Sequence, residues 1–233
     1  MSRYKTAAGP EAEYEPGSRK RVIKNRLGIS SKMLMDQAEA EALTLVQNRY
    51  FTEGMITQDT IFTANLIKKM HREWLGVIYE WAGSYRTVDV AKGNFTFPPA
   101  YLIPNNMHTF EDGVLKDLTP CRPDEPSRVC RDVAIVHAEL LLIHPFREGN
   151  GRLARWIANI MFAQAGLSIP DYGFTGRGAK LRQSRYLDAV IRAYYRNYSD
   201  LIRFFEEALE RGNAADLSFN SDRGDAPSNT DDS

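Results

Sequence analysis

The amino-acid sequence predicts an all-α domain, a mainly helical bundle carrying one short β-hairpin flap. Two observations lead there. Apolar residues recur at helical spacing through six segments of the chain, and strict alternation bounded by turn residues occurs in only one place, between Ala82 and Pro104. A chain of 233 residues is long enough for one compact domain with loose ends.

From the N-terminus, Met1 to Glu13 is rich in small and charged residues and reads as a flexible start, before the turn Tyr14-Glu-Pro-Gly17. Ser31 to Tyr50 places Leu34, Ala38, Ala42, Leu45 and Val46 on one helical face. Thr60 to Trp81 does the same with Ile61, Ala64, Ile67, Met70, Trp74, Ile78 and Trp81. Gly83 to Val90 then alternates like a strand. Lys92-Gly-Asn94 signals a turn, Phe95-Thr-Phe97 resumes the alternation, and Pro98-Pro99 stops it. One hairpin cannot stand alone, so it must lie on the helical body.

Helical spacing returns from Ser127 to Ile143, with Val129, Val133, Val136, Leu140 and Ile143 aligned. Further helices are expected at Arg152 to Gln164, Ala179 to Tyr195 and Asp200 to Arg211, the last capped by Ser199. From Gly212 to Ser233 there are few apolar residues to offset the entropy of ordering, so a disordered tail is expected beyond a domain at 14–211.

Thirty basic and thirty acidic residues give zero formal charge, which argues against a general nucleic-acid binder. Cys121 and Cys130 form no CxxC pair, which fits a reducing cytoplasm. No signal peptide is visible and no apolar run is long enough for a bilayer, so no membrane partner is expected.

The chemistry concentrates in His144-Pro-Phe-Arg-Glu-Gly-Asn-Gly-Arg-Leu-Ala-Arg155. Pro145 disfavours helical geometry in the residue before it, so a long apolar helix should end just ahead of His144. Gly149-Asn-Gly151 then opens the next helix, where converging N–H groups and the helix dipole attract an anion. Alone, that signal is weak and a plain helix cap explains it equally well.

Arg152 and Arg155 tip the balance. Cations in a first turn oppose the dipole at roughly 0.3–1 kcal/mol each, a rule broken most readily at functional sites. A multiply charged phosphate compensates, and arginine suits its oxygens. Glu148 beside such a nest needs a divalent cation between carboxylate and phosphate, as Mg²⁺ provides. The competing reading pairs Glu148 with Arg147 or Arg152. His144 can take a proton from an attacking hydroxyl near neutral pH.

These residues match, at every specified position, the Fic family signature His-x-Phe-x-Asp/Glu-Gly-Asn-Gly-Arg-x-x-Arg. Ile78 to Val88 and Lys92-Gly-Asn-Phe95 also resemble the family's hairpin region, so the resemblance extends over about residues 14–211. It implies a protein adenylyltransferase that moves AMP from ATP to a Tyr, Thr or Ser hydroxyl of a target protein. By the same resemblance His144 is the general base, Phe146 holds the loop and Glu148 binds Mg²⁺ on the α- and β-phosphates. Gly149, Asn150 and Gly151 form the nest, Arg152 holds the β/γ-phosphates, and Arg155 positions the γ-phosphate. The flap residues Val88, Lys92, Gly93, Asn94, Phe95 and Phe97 dock the target by strand addition.

Family members are commonly restrained by a Ser/Thr-x-x-x-Glu-Gly/Asn motif whose glutamate pairs with the second motif arginine. Glu53-Gly54 has the right ending, but Arg49 stands where Ser or Thr belongs, and no Ser or Thr lies four places before a Glu. The expectation is toxin-like activity restrained by a separate, small antitoxin-like inhibitor that supplies a glutamate to Arg155. The rivals are transfer of another phosphate-containing group on the same scaffold, or a catalytically silent binding module. His137-Ala-Glu139 resembles the His-x-Glu of zinc deaminases, but the Pro-Cys-x-x-Cys partner is missing. Gly173 to Gly178 lacks a P-loop ending, and the aromatics Tyr194, Tyr195, Tyr198, Phe204 and Phe205 read as helix packing.

Overall fold

The computed structural model describes residues 10–92 and 95–224. Among them are α1 (Lys32–Thr52), α2 (Ala64–Leu75), the strands β1 (Ala91–Lys92) and β2 (Phe95–Thr96), and α3 (Ile103–Phe110). A π-helical turn at Glu111–Leu115 leads into the short α4 (Lys116–Leu118). The long helices α5 (Pro126–Ile143), α6 (Asn150–Gln164), α7 (Ala179–Ala193) and α8 (Ser199–Gly224) complete the body. The fold is all-α with a single two-stranded antiparallel hairpin among the described residues, as the periodicity implies.

Helix α5 is the centre. Its Val129, Val133, Val136, Leu140 and Ile143, all marked by the sequence, are buried, and it packs against α3, α6, α7 and α8. Its partner α6 buries Leu153, Trp156, Ile157, Ile160, Met161 and Phe162, and follows after only residues 144–149. A short connection between two buried helices leaves its backbone few conformations, so the loop is held by packing at both ends.

Helix α1 is turned differently from the stripe its sequence suggests. Met35, Glu39, Val46 and Tyr50 face inward, whereas Leu34 and Leu45 are 49% and 71% exposed. The reason is polar. The Glu39 carbonyl accepts the Trp74 indole N–H at 2.8 Å, and its carboxylate has two partners described below. Those bonds outweigh a weakly amphipathic pattern.

Helix α2 is shorter than the apolar stripe. Thr63 caps it through a bond from the Leu66 N–H at 3.1 Å, and it ends at Gly76. Ile78 and Trp81 are buried from the turns that follow, while Ile61 is exposed. Gly83 to Val90 contains no strand, because this segment's bonds go to side chains and to the 144–149 loop instead of a neighbouring strand. Phe97 donates its N–H to the Val90 carbonyl at 3.1 Å, so the ladder is confined to Ala91↔Thr96 and Lys92↔Phe95. Gly93 and Asn94 lie outside the described residues.

Residues 11–13 belong to the folded body, although their composition suggests a loose start: Glu11 is buried and bonds the hairpin approach through the Thr87 N–H at 3.1 Å. At the other end α8 continues to Gly224, past the Gly212 where composition places the tail.

Candidate active site

The 144–149 loop is a closed structure. His144 caps α5 in the left-handed region (φ 51°, ψ 58°), with its N–H on the Leu140 carbonyl at 3.0 Å. Pro145 excludes the α-helical alternative, and the left-handed region costs a residue with a Cβ about 1–2 kcal/mol. Arg86 offsets that cost. Its Nε donates to the His144 carbonyl at 2.8 Å, and its backbone N–H donates to the Pro145 carbonyl at 2.9 Å. Its guanidinium also reaches the Val88 carbonyl at 2.8 Å and the Pro98 carbonyl at 2.5 Å, which ties the hairpin to the loop.

Asn150 closes the loop from the far side. Its side-chain oxygen accepts the Phe146 N–H at 3.0 Å, and its amide donates to the Phe146 carbonyl at 2.7 Å. Phe146 is fully buried and stacks on His71 at 3.9 Å and 8°. His71 receives the Gly83 N–H on Nδ1 at 2.8 Å, so its Nε2 carries the proton that reaches the Glu148 carbonyl at 3.1 Å. Burial holds its pKa down at about 4 and keeps it neutral, as that pattern requires. Arg147 is also buried and donates through Nε to the Glu11 carbonyl at 2.8 Å.

His144 itself is poised as a base. Its Nδ1 lies 3.3 Å from the Leu141 carbonyl, which can only accept, so Nδ1 holds the proton and Nε2 keeps its lone pair. The ring stacks on Phe97 at 3.8 Å. Burial first, then the charges of Arg86, Lys92 and Arg147, push its pKa down to about 3.

Next to it, Gly149 begins α6 with φ 86°, and a Cβ there would lie 2.9 Å from the Trp74 ring. Glycine is required twice over, by backbone and by space. Gly151 differs: a Cβ would meet the protein only in ordinary contact, 3.6 Å from Arg155, so packing does not demand a glycine there. A bare backbone is useful where a ligand must come close. The Glu148 carboxylate, partly exposed, accepts the Gly149 N–H at 3.2 Å and is 3.9 Å from Arg152. One accessible carboxylate beside a glycine-opened helix start, where phosphate oxygens could complete the coordination, is a donor set that fits Mg²⁺.

The two arginines diverge. Arg152 lies over the Trp74 ring at 4.8 Å, and its Nη2 meets the Glu39 carboxylate at 2.5 Å. The other Glu39 oxygen accepts the Tyr79 hydroxyl at 2.5 Å. Arg155 lies over the rings of Phe174 and Tyr186, 5.4 and 6.0 Å from their centroids, and no carboxylate pairs with it among the described residues.

Residues 61–162 match the model of the Fic/DOC family, and the matched span contains the loop just described. The chain carries a Fic domain. It is 29% identical over 220 residues to protein adenylyltransferase VbhT of Bartonella schoenbuchensis, covering 94% of this chain and 42% of that protein. It is 28% identical over 195 residues to the y4lH protein of Sinorhizobium fredii, covering 83% of this chain and 92% of that one. The chain therefore spans about two fifths of VbhT's length and most of y4lH's. The N-terminal Fic domain of a Bartonella effector from strain AR 15-3 superposes with a TM-score of 0.65 at 19% identity, over 84% of this chain and 89% of that one. BepC of Bartonella tribocorum, solved with bound AMPPNP, gives 0.61 at 20% identity, over 80% and 91%. At these identities the structures establish the likeness of fold.

Within the Fic domain, the sequence-marked His144, Phe146, Glu148 and Gly149 lie in the loop, and Asn150, Gly151, Arg152 and Arg155 follow on the first two turns of α6. In the hairpin, Val88 and Phe97 are buried and cluster with Val90, Phe95 and Tyr194, and Phe97 stacks on the His144 ring. Lys92 is exposed and Phe95 partly so. Sequence reading missed Glu39, His71 and Arg86. Glu39 left a faint signal, a carboxylate in register with Met35 and Val46. His71 and Arg86 left none, because their partners are 77 and 58 residues away.

Proposed function

We propose that this Fic domain is a protein adenylyltransferase, moving AMP from ATP to the hydroxyl of a target protein's Tyr, Thr or Ser. The observation that carries the reading is the His144 tautomer, with a neutral ring and a free Nε2 beside a glycine-built helix start. His144 Nε2 takes the hydroxyl proton as the oxygen attacks the α-phosphorus. The bond from that phosphorus to the bridging oxygen breaks, and pyrophosphate leaves. The Gly149–Gly151 backbone, Arg152 and Arg155 hold the phosphates. Bound at Glu148, Mg²⁺ would supply charge neutralisation on the α- and β-phosphates. The hairpin, through Lys92, Phe95 and the backbone around 93 and 94, docks the target strand. The names of VbhT and the other curated relatives support transfer of AMP over transfer of another group.

Restraint by a separate antitoxin-like protein fits an Arg155 that no carboxylate occupies among the described residues. A reducing, cytoplasmic setting fits two free, buried cysteines; no helix of the described residues is long and apolar enough to cross a membrane.

The test incubates the protein with Mg²⁺, cell lysate, and ATP labelled at the α- or γ-phosphate, beside His144→Ala. Protein label from α-labelled ATP alone, lost in the variant, is expected. Label only from the γ-phosphate refutes AMP transfer, and no label from either supports a silent binding module.

A further inference from the structure

His137 and Tyr186 have no part in the mechanism above, yet both are buried within reach of its second arginine. His137, on α5 two turns before His144, is 2% exposed, and its Nε2 lies 2.8 Å from the Tyr186 hydroxyl on α7. Tyr186 is 4% exposed. The Arg155 guanidinium, on α6, sits over the Tyr186 ring, 6.0 Å from its centroid, and its charge partly offsets the upward push of burial on the phenol. Phe174 supplies a second ring beneath the same guanidinium.

The 2.8 Å bond between the Tyr186 hydroxyl and His137 Nε2 fixes the ring on which the guanidinium rests, and it joins the phenol to a neutral imidazole. Burial, helped by the Arg155 charge, keeps it so with a pKa of about 3.

We infer that His137 and Tyr186 are positioning residues for Arg155, a neutral relay that fixes the guanidinium while leaving its whole positive charge for the terminal phosphates of the nucleotide. Arg152 presents the alternative design, in which Glu39 orients the arginine and also neutralises it. A carboxylate in contact with a guanidinium cancels much of its attraction for a nearby anion, whereas a phenol and two ring faces cancel none. The inference rests on the nucleotide reading of the site.

The test measures binding of ATP, ADP and AMP, each with Mg²⁺, to the full chain and its variants. Tyr186→Phe keeps the ring and removes the relay. It is expected to weaken ATP about tenfold while AMP stays within twofold, because only the longer phosphate chain reaches Arg155. In an Arg155→Gln background the same change is expected to add nothing. His137→Gln, whose amide oxygen can replace Nε2, should retain ATP affinity, and His137→Leu should lose it as Tyr186→Phe does. A purely structural role would weaken AMP and ATP alike, with a matching drop in melting temperature, and would overturn the relay. So would additive losses with Arg155→Gln, or unchanged ATP binding in both Tyr186→Phe and His137→Leu. Should Tyr186→Phe not fold, the His137 pair decides alone. Failure of the wild-type chain to bind any of the three nucleotides would refute the functional reading itself, and the relay with it.

Discussion

The surroundings of Arg152 and Arg155, one helical turn apart on α6, are built on opposite principles. Around Arg152 the protein has assembled charge: Glu39 at 2.5 Å, Glu148 at 3.9 Å, and the Trp74 ring beneath. Around Arg155 it has assembled rings and neutral oxygens, with Phe174, Tyr186 and, behind them, His137. Both arginines are held, but only one keeps its full electrostatic reach. The first is bound into the fold, since Glu39 on α1 is buried and would be left uncompensated without it. The second can be removed at little structural cost. Their partners thus separate two residues that the sequence motif presents as a pair.

That division is sharpest in a crossed pair of substitutions. Arg155→Ala is expected to lower kcat/KM for ATP by about a hundredfold or more, consistent with loss of one charge-stabilising contact to the departing pyrophosphate, while shifting the thermal melting point little. Arg152→Ala is expected to destabilise the fold by about 3 kcal/mol, the lower end for stranding a buried partner because the Arg152 side chain is 25% exposed. Denaturant titrations and initial rates on both variants settle it. Equal stability losses in the two would erase the distinction.

A second contrast is readable in pH. His71 and His137 are buried and neutral, with pKa values depressed to about 4 and about 3. In the unfolded chain each titrates near 6.5, so between these values the unfolded state binds more protons. Stability is then fully present above about pH 7 and falls as the pH drops toward 4. With His144, itself depressed to about 3, the slope approaches three protons, or roughly 4 kcal/mol per pH unit at most. Urea midpoints at pH 7, 6 and 5 measure it, and His137→Gln should remove about a third of the slope. Activity should follow a different curve, because His144, with its pKa at about 3, keeps its base form throughout that range.

The smallest expected effect distinguishes the two glycines of the nest. Gly149→Ala should cost about 1–3 kcal/mol of stability, from its φ of 86° and the 2.9 Å approach of a Cβ to Trp74. Gly151→Ala should leave stability within about 0.5 kcal/mol, since that position is helical and unobstructed, yet weaken ATP binding severalfold. Unchanged ATP affinity in Gly151→Ala would remove the phosphate from that point of the helix.

Much of the site is legible in the chain's local pattern. The apolar period of α5 and the Pro145 stop locate the end of the helix and hence His144. The glycines and opposed arginines locate the start of α6. These are local facts, decided within one or two turns of chain by sterics and the helix dipole. The pattern of α1 misleads where it competes with a distant bond. Leu34 and Leu45 look like core, but Trp74, Tyr79 and Arg152 claim Glu39 and turn the helix to present it. The expected strand from Gly83 to Val90 is absent for the same reason, since Arg86 binds carbonyls of residues 88, 98 and 144 where a ladder would run.

By itself, then, the sequence determined the helical class, the end of α5 at His144 and the glycine-opened start of α6, because each follows from short-range geometry. Only the tertiary structure decided which arginine is neutralised, what holds His144 in its left-handed turn and what anchors the loop carrying Phe146 and Glu148. Those depend on contacts between residues 58 to 113 positions apart in the chain, and no local rule links positions so far apart until the helices have packed.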